Sequence, residues 1–283
     1  MICCKTINIK DCRASEQPIC LLSQKFYIIA IARRSSIEAD VPIHANIEWI
    51  QWDIANTKML NNIKQYLDKR GSIDFILHLA EFYNFDYKDK PEYYRTNVKG
   101  TKNILELARF LRIKRLIFAS SLAACSFPAK GKMINEKSKA DADYAYARTK
   151  RQGEEMLKEY SRYFNCTIVR FAAIFSDWCE YAPLYKFLAT WISNKWDSRI
   201  IGGKGNSAIS YLHINDLICI ILKIIEKNRF IPSFDTYIAS PDGSTSHKVL
   251  YKNSTKDYYG KNIHPLFIPK PIAYFGLLGK TFL

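Results

Sequence analysis

At 283 residues and 48% hydrophobic side chains, the chain is long enough for one α/β domain with an appended part and holds ample material for a packed core. A net charge of +15 favours anionic ligands through the general field. No basic run is dense enough for a nucleic-acid tail and no nucleic-acid motif is present, so the lysines read as a solvated surface. Eight cysteines without a C-x-x-C pair, no secretory signal and no long apolar run argue against a disulfide framework, a zinc site and a membrane span, and point to reduced thiols in the cytoplasm.

In chain order, Phe26 to Ala32 reads as a buried strand ending at Arg33 and Arg34. Ile47 to Trp52 reads as the next, followed by Asp53-Ile54, and Leu60 to Lys69 as a helix. Phe75 to Ala80 predicts a strand, with His78 as a packed core histidine and Glu81 just beyond it. After an aromatic, charged loop from Phe82 to Tyr94, apolar positions at Val98, Ile104, Leu105, Leu107 and Ala108 predict one long helix over Asn97 to Phe110. Arg115 to Ser121 reads as a short buried strand that runs into two hydroxyls and presents Ser121 at its carboxyl end.

A helix from about Tyr144 to Tyr163 places Tyr146 four residues before Lys150, on one face. An ammonium beside the phenol would stabilise its phenolate and pull its pKa from about 10 toward neutrality, making a usable general acid or base. An exposed helical pair is the competing reading of that spacing. Thr167 to Phe171 predicts another strand and Pro183 to Trp196 an aromatic-rich helix. Gly202 to Asn206 predicts a turn without the Gly-Lys-Ser/Thr of a phosphate loop, and Asp235 to Ser240 a last strand. Strands separated by helical segments give an α/β fold, a Rossmann-like doubly wound parallel sheet that binds ligands at its carboxyl edge.

Phe118-Ala119-Ser120-Ser121, the Tyr146 and Lys150 pair, and Asn97-Val98-Lys99-Gly100-Thr101 stand in the order and at the separations of the extended short-chain dehydrogenase/reductases. The chain resembles this NAD(P)-dependent epimerase/dehydratase group over roughly residues 26 to 245. The resemblance implies an NAD(P)-binding Rossmann-like domain over residues 1–175 and an abbreviated substrate-binding part over residues 176–283, interleaved with the last sheet strands. It implies that Tyr146 transfers the proton, that Lys150 lowers the tyrosine's pKa and holds the nicotinamide ribose, that Ser121 bonds the substrate oxygen, and that Asn97 orders the lysine. Arg33, Asp53, Ile54, Leu79, Ala80 and Ser120, with Tyr146 and Lys150, would line the cofactor. Arg33 and Arg34 stand where NAD-preferring relatives carry an acidic residue, which suits a 2′-phosphate and favours NADP slightly over NAD. Exposed basic residues at a strand end are the alternative. Ser210 to Asp216 matches the group's strand-to-helix signature.

The departures from the pattern are specific. No glycine precedes Gly71, so residues 1–25 lack the glycine-rich turn that lets backbone approach a pyrophosphate, and a weak grip on the cofactor follows. Glu81 replaces an alanine, the asparagine and closing Gly-Pro usual after the arginine and aromatic are both absent, with Ala173 in that run, and Ile209 stands where nucleotide-sugar enzymes carry a diphosphate-binding arginine. Leu122-Ala123 replace the Asp-Glu of the sugar dehydratases. The expected function is an oxidoreductase exchanging hydride with a carbinol or ketone. A nucleotide-sugar epimerase and a non-catalytic protein that has lost the cofactor loop are the alternatives. The expected partner is a small-molecule substrate, not nucleic acid or membrane, and a homodimer stays open.

Overall fold

The computed structural model describes residues 25–272 except 40, 42, 87, 130 and 131, together with residues 2, 3, 19, 22 and 23. The missing glycine-rich turn therefore concerns residues that lie largely outside the described ones. The chain divides into two compact units, residues 1–172 with 213–239, and residues 173–212 with 240–283.

The first unit is built on seven parallel strands: β1 (Ile2–Cys3), β2 (Ile28–Ala32), β3 (Ile47–Gln51), β4 (Phe75–His78), β5 (Arg115–Ser121), β6 (Asn165–Phe171) and β7 (Phe234–Ala239). Their spatial order is β3-β2-β1-β4-β5-β6-β7, so the direction of winding reverses between β1 and β4. That is the switch point of a doubly wound sheet, where a crevice opens outside the carboxyl ends of the strands. All five residues of β2 are buried, as a strand covered on both faces requires.

Helix α1 (Leu60–Asp68) buries Leu60, Ile63 and Leu67, one stripe at helical spacing. Helix α2 (Thr101–Leu111) buries Ile104, Leu105, Leu107 and Ala108 and stops at Arg112, whose left-handed φ of 51° turns its N–H back to the Ala108 and Arg109 carbonyls. The helix expected over Asn97 to Phe110 differs from this. It is entered through wide π turns over Tyr93–Gly100, which bury Tyr93, Asn97 and Gly100. A Cβ on Gly100 would lie 2.7 Å from Ile54 Cδ1, so a larger residue there would require the Ile54 side chain to move. Helices α3 (Ala145–Tyr160) and α4 (Ile214–Glu226) complete the unit.

Arg115 is the one charged residue wholly buried in β5. Its guanidinium donates to Asn228 Oδ1 at 2.7 Å, Thr167 Oγ1 at 2.8 Å, Ile231 O at 2.9 Å and Pro232 O at 3.1 Å, tying the segment that leads into β7 to the amino end of the sheet.

The second unit has a core of Trp191, Ile201 and Tyr251, with Phe187 stacked on Trp191 at 5.3 Å between ring centroids. Its helices are Ala182–Trp191 and His247–Tyr259. The first ends five residues short of the expected Trp196. The second escaped the sequence reading because it buries little apolar surface, Tyr251 and Thr255 being its buried residues. Gly203 and Gly205 shape the expected turn with φ of 69° and 65°.

Replacing Arg115 by Met keeps most of the volume but leaves several buried oxygens without a donor. Arg115→Met is expected to lower stability by about 2–4 kcal/mol, read as a lower urea midpoint at unchanged slope.

Candidate active site

The site is assembled at the carboxyl ends of β4 and β5 by α3, the π turns and the loop after β4. Helix α3 buries Tyr146, Thr149, Lys150 and Glu154 beside Ala145, Ala147, Gly153 and Leu157, so half of its buried residues are polar. A Cβ on Gly153 would meet Phe118 Cζ at 2.5 Å, so the helix lies close on β5 only because that residue is glycine. Tyr146 and Lys150 thereby project toward the end of β5, where the Ser121 hydroxyl accepts the Ala123 N–H at 3.1 Å.

Lys150 Nζ donates to Ala119 O at 2.6 Å and pairs with Glu81 Oε2 at 2.7 Å. The Tyr146 hydroxyl donates to the same Glu81 oxygen at 3.2 Å. This revises the expected electrostatics. Burial, then the Glu81 charge, push the Tyr146 phenol well above its ordinary range, outweighing the lowering effect of Ser121. The rings of Tyr83, Tyr144 and Tyr93 surround Tyr146, with centroids at 4.6, 6.4 and 6.5 Å. Sequence reading noted Glu81 as a departure but gave it no role. A carboxylate directly after a buried strand, at a position otherwise occupied by alanine, was the available signal.

Asn97 is buried and grips the loop after β4 at two points, its Oδ1 accepting from Phe82 N at 2.6 Å and its Nδ2 donating to Phe82 O at 3.0 Å. Its Nδ2 also donates to Thr149 Oγ1 at 3.1 Å, so it joins the residue after Glu81 to the residue before Lys150. Thr101 Oγ1 donates to Asn97 O at 2.6 Å, so His78 Nε2, 2.9 Å from that hydroxyl, is the donor to it. His78 Nδ1 then carries no proton, and it has no hydrogen-bond partner among the described residues. Burial, and next the Lys150 charge, lower the His78 pKa to about 3.

The residues assigned to the cofactor separate into two sets. Arg33 is exposed after β2, and Leu79 and Ala80 are half-buried after β4, all at the carboxyl edge together with Lys150 and Tyr146. Arg33 and the backbone at Leu79 and Ala80 fit a nicotinamide dinucleotide, while the ammonium and phenol beside them are buried and held by Glu81 and the Ala119 carbonyl. The other set is engaged within the protein. Asp53 pairs with Arg95 and accepts from Ala55 N at 3.0 Å, and Ile54 is buried with its carbonyl accepting from Asn103 Nδ2 at 2.7 Å. The Ser120 hydroxyl donates to Glu154 Oε1 at 2.6 Å, and Arg170 clamps the same carboxylate with Nε at 2.9 Å and Nη2 at 2.7 Å. Cys125, Cys166, Cys179 and Cys219 are free thiols, and among the described residues no cluster of His, Cys, Asp or Glu could hold a metal. No helix among the described residues is long and apolar enough to cross a membrane.

A doubly wound parallel sheet, with serine ending its fifth strand and Tyr-x-x-x-Lys on the next helix, defines an α/β protein of the short-chain dehydrogenase/reductase class. The chain belongs to the NAD-dependent epimerase/dehydratase family, whose sequence model matches residues 20–239. It is 30% identical over 138 residues to a putative dihydroflavonol 4-reductase of Synechocystis, covering 48% of this chain and 38% of that one. It is 23% identical to the N-acetyl-alpha-D-glucosaminyl-diphospho-ditrans,octacis-undecaprenol 4-epimerase of Escherichia coli O157:H7, covering 75% of this chain and 63% of that one. The chain spans less than two thirds of the length of these curated relatives. Its fold is similar to a Thermotoga maritima UDP-glucose 4-epimerase solved with UDP-glucose (TM-score 0.74, 18% identity, 95% of this chain and 86% of that one). It is also similar to a Bacillus anthracis dTDP-glucose 4,6-dehydratase in complex with NAD (TM-score 0.74, 15% identity, 95% of this chain and 83% of that one).

His78 makes a pH prediction. The unfolded chain protonates it below about 6.5 and the folded chain only near about 3, so its contribution is complete above pH 6.5 and is lost as pH falls toward 3. In that window the unfolded state binds more protons, and stability rises with pH by up to about 1.4 kcal/mol per unit. Urea unfolding from pH 7 to 5 is expected to show a shallower dependence in His78→Leu than in the native chain, and equal slopes would contradict this.

Proposed function

We propose that this chain is a nicotinamide-dinucleotide-dependent oxidoreductase that exchanges hydride with a carbinol or ketone carbon through Ser121, Tyr146 and Lys150. The observation that carries the reading is the convergence of these residues at the end of β5, where Ser121 is among the groups that act on the Tyr146 phenol and Lys150 lies one turn on along the same buried stripe. Arg33, the backbone at Leu79 and Ala80, and Lys150 would hold the dinucleotide, which supplies the hydride acceptor or donor when bound. Ser121 orients the substrate oxygen and Tyr146 gives or takes its proton. In this reading the first unit takes the dinucleotide and the second the substrate. Arg33 and Arg34 suit a 2′-phosphate, so NADP(H) is the favoured form.

A second reading, a nucleotide-sugar epimerase, draws support from the epimerases among the relatives and the solved folds. There the same residues would oxidise a ring hydroxyl and let the hydride return to the other face. Ala173 and Ile209 count against it. Interconversion of UDP-glucose and UDP-galactose without net change in dinucleotide absorbance would favour the epimerase, and net reduction of a ketone the oxidoreductase.

Calorimetric titration with NADP(H) and NAD(H) tests the reading directly, since a chain that binds neither is the non-catalytic relic. Tyr146→Phe is expected to cut turnover by about 10²–10⁴ while dinucleotide binding and circular dichroism stay unchanged. Turnover at the native rate would sink the assigned role. Arg33→Ala is expected to weaken NADP(H) binding about tenfold or more, the loss of a charge-assisted contact of about 1.5–3 kcal/mol, and to leave NAD(H) binding as it was.

A further inference from the structure

Glu81 is the charged group in contact with both Tyr146 and Lys150, and this mechanism leaves it unused. A single oxygen of its carboxylate receives both the Lys150 ammonium at 2.7 Å and the Tyr146 hydroxyl at 3.2 Å. The carboxylate is held there from behind. Asn97 fixes both the N–H and the carbonyl of Phe82, the next residue, and Lys150 is fixed from its other side by the Ala119 carbonyl. An ammonium alone beside a phenol would stabilise the phenolate. A carboxylate in contact with both cancels that field, and the aromatic rings around Tyr146 add the cost of burying a charge. Tyr146 thus rests as a neutral phenol whose proton already points at an acceptor.

We propose that Glu81 is the proton acceptor behind Tyr146, so that Tyr146 relays a proton between the substrate oxygen and Glu81 without having to exist as a free phenolate. The inference rests on the functional reading above. In the oxidising direction the substrate O–H bond breaks as an O–H bond forms on Tyr146, while the original Tyr146 O–H bond breaks and an O–H bond forms on Glu81 Oε2. The two electrons of the oxidation leave with the hydride to an oxidised nicotinamide dinucleotide. Reduction runs the same transfers backwards. The Glu81 side chain is 23% exposed, which gives the proton a route to water.

The groups that face this pair are His78 at the end of β4, Ser121 at the end of β5, Tyr93 on the π turns, Tyr83 on the loop, and Tyr144 and Lys150 on α3. His78, with a pKa of about 3, is neutral over the working range, so among these groups Lys150 carries the positive charge and Glu81 the negative one.

Two measurements on the full chain decide the proposal. The first is an ultraviolet titration of tyrosinate in the native chain, in Glu81→Gln and in each combined with Tyr146→Phe, which isolates the Tyr146 signal and needs neither cofactor nor substrate. With the carboxylate gone, that signal is expected to move to lower pH by about one unit or more. A signal that stays or moves up overturns the proposal. The second is turnover with NADP(H) or NAD(H) and UDP-glucose or a simple ketone as probe. Glu81→Gln is expected to lower turnover by about 10²–10⁴ with dinucleotide binding kept, to remove the acid limb of the pH profile, and to be partly rescued by Glu81→Asp. Turnover equal to or above native in Glu81→Gln also overturns the relay and makes Glu81 a brake on the tyrosine. If the native chain binds no dinucleotide, the functional reading fails by itself, and the titration alone then decides whether Glu81 governs the Tyr146 proton.

Discussion

The ammonium of Lys150 is held at two points, the Ala119 carbonyl and the Glu81 carboxylate, and the geometry of the site follows from that grip. A buried cation needs paired negative charge and further hydrogen bonds to offset its lost hydration. Here one contact comes from the backbone of β5 and the other from Glu81, three residues past the end of β4. The helix carrying Lys150 is therefore referenced to two neighbouring strands at once. Tyr146, one turn earlier on the same stripe, inherits its position from this, and so does the choice of partner for its hydroxyl.

Around that ion pair the buried polar groups form connected chains. His78 donates to Thr101, Thr101 to the Asn97 carbonyl, and Asn97 to Thr149, which donates to Tyr146 O at 2.9 Å. On the other side of Gly153 the same helix closes the Ser120–Glu154–Arg170 cluster, whose ion pair is nearly buried. Networks of this kind hold one arrangement because any displaced member leaves an unsatisfied buried group. The cluster at Glu154 also explains why Ser120 and Ser121, adjacent in sequence, serve different ends. Ser120 is buried and spent on Glu154, whereas Ser121, at the end of the strand, is only half-buried.

Much of this was legible in the chain itself. Short runs of strand-forming residues marked β2 through β7 closely, although β3 and β7 are mostly half-buried, and their alternation with helical segments determined a parallel, doubly wound sheet. Ser121, Tyr146 and Lys150 could be picked out because a strand-end hydroxyl and an i, i+4 pair are local in sequence. Asn97 stood in a recognisable run. The helix His247–Tyr259 was not legible, since periodicity reports apolar stripes and this helix has little of one. The half-polar inward face of α3 defeats the same rule, and there the motif was readable only through its chemistry.

Tertiary structure alone decided what surrounds those residues. The sequence determined that a lysine stands beside a tyrosine; it could not say that a carboxylate 65 residues before the tyrosine would reach both, because that contact depends on the register of β4 against β5 and on the π turns that lock Phe82 to Asn97. Nor could it say that Asp53 would be taken by Arg95, or that Ser120 would be taken by Glu154. Local pattern determines which groups reach an edge of the sheet. The sign of the field they meet there is set by charges brought together across the fold, and electrostatic energies depend on distances of a few ångströms that no spacing along the chain encodes.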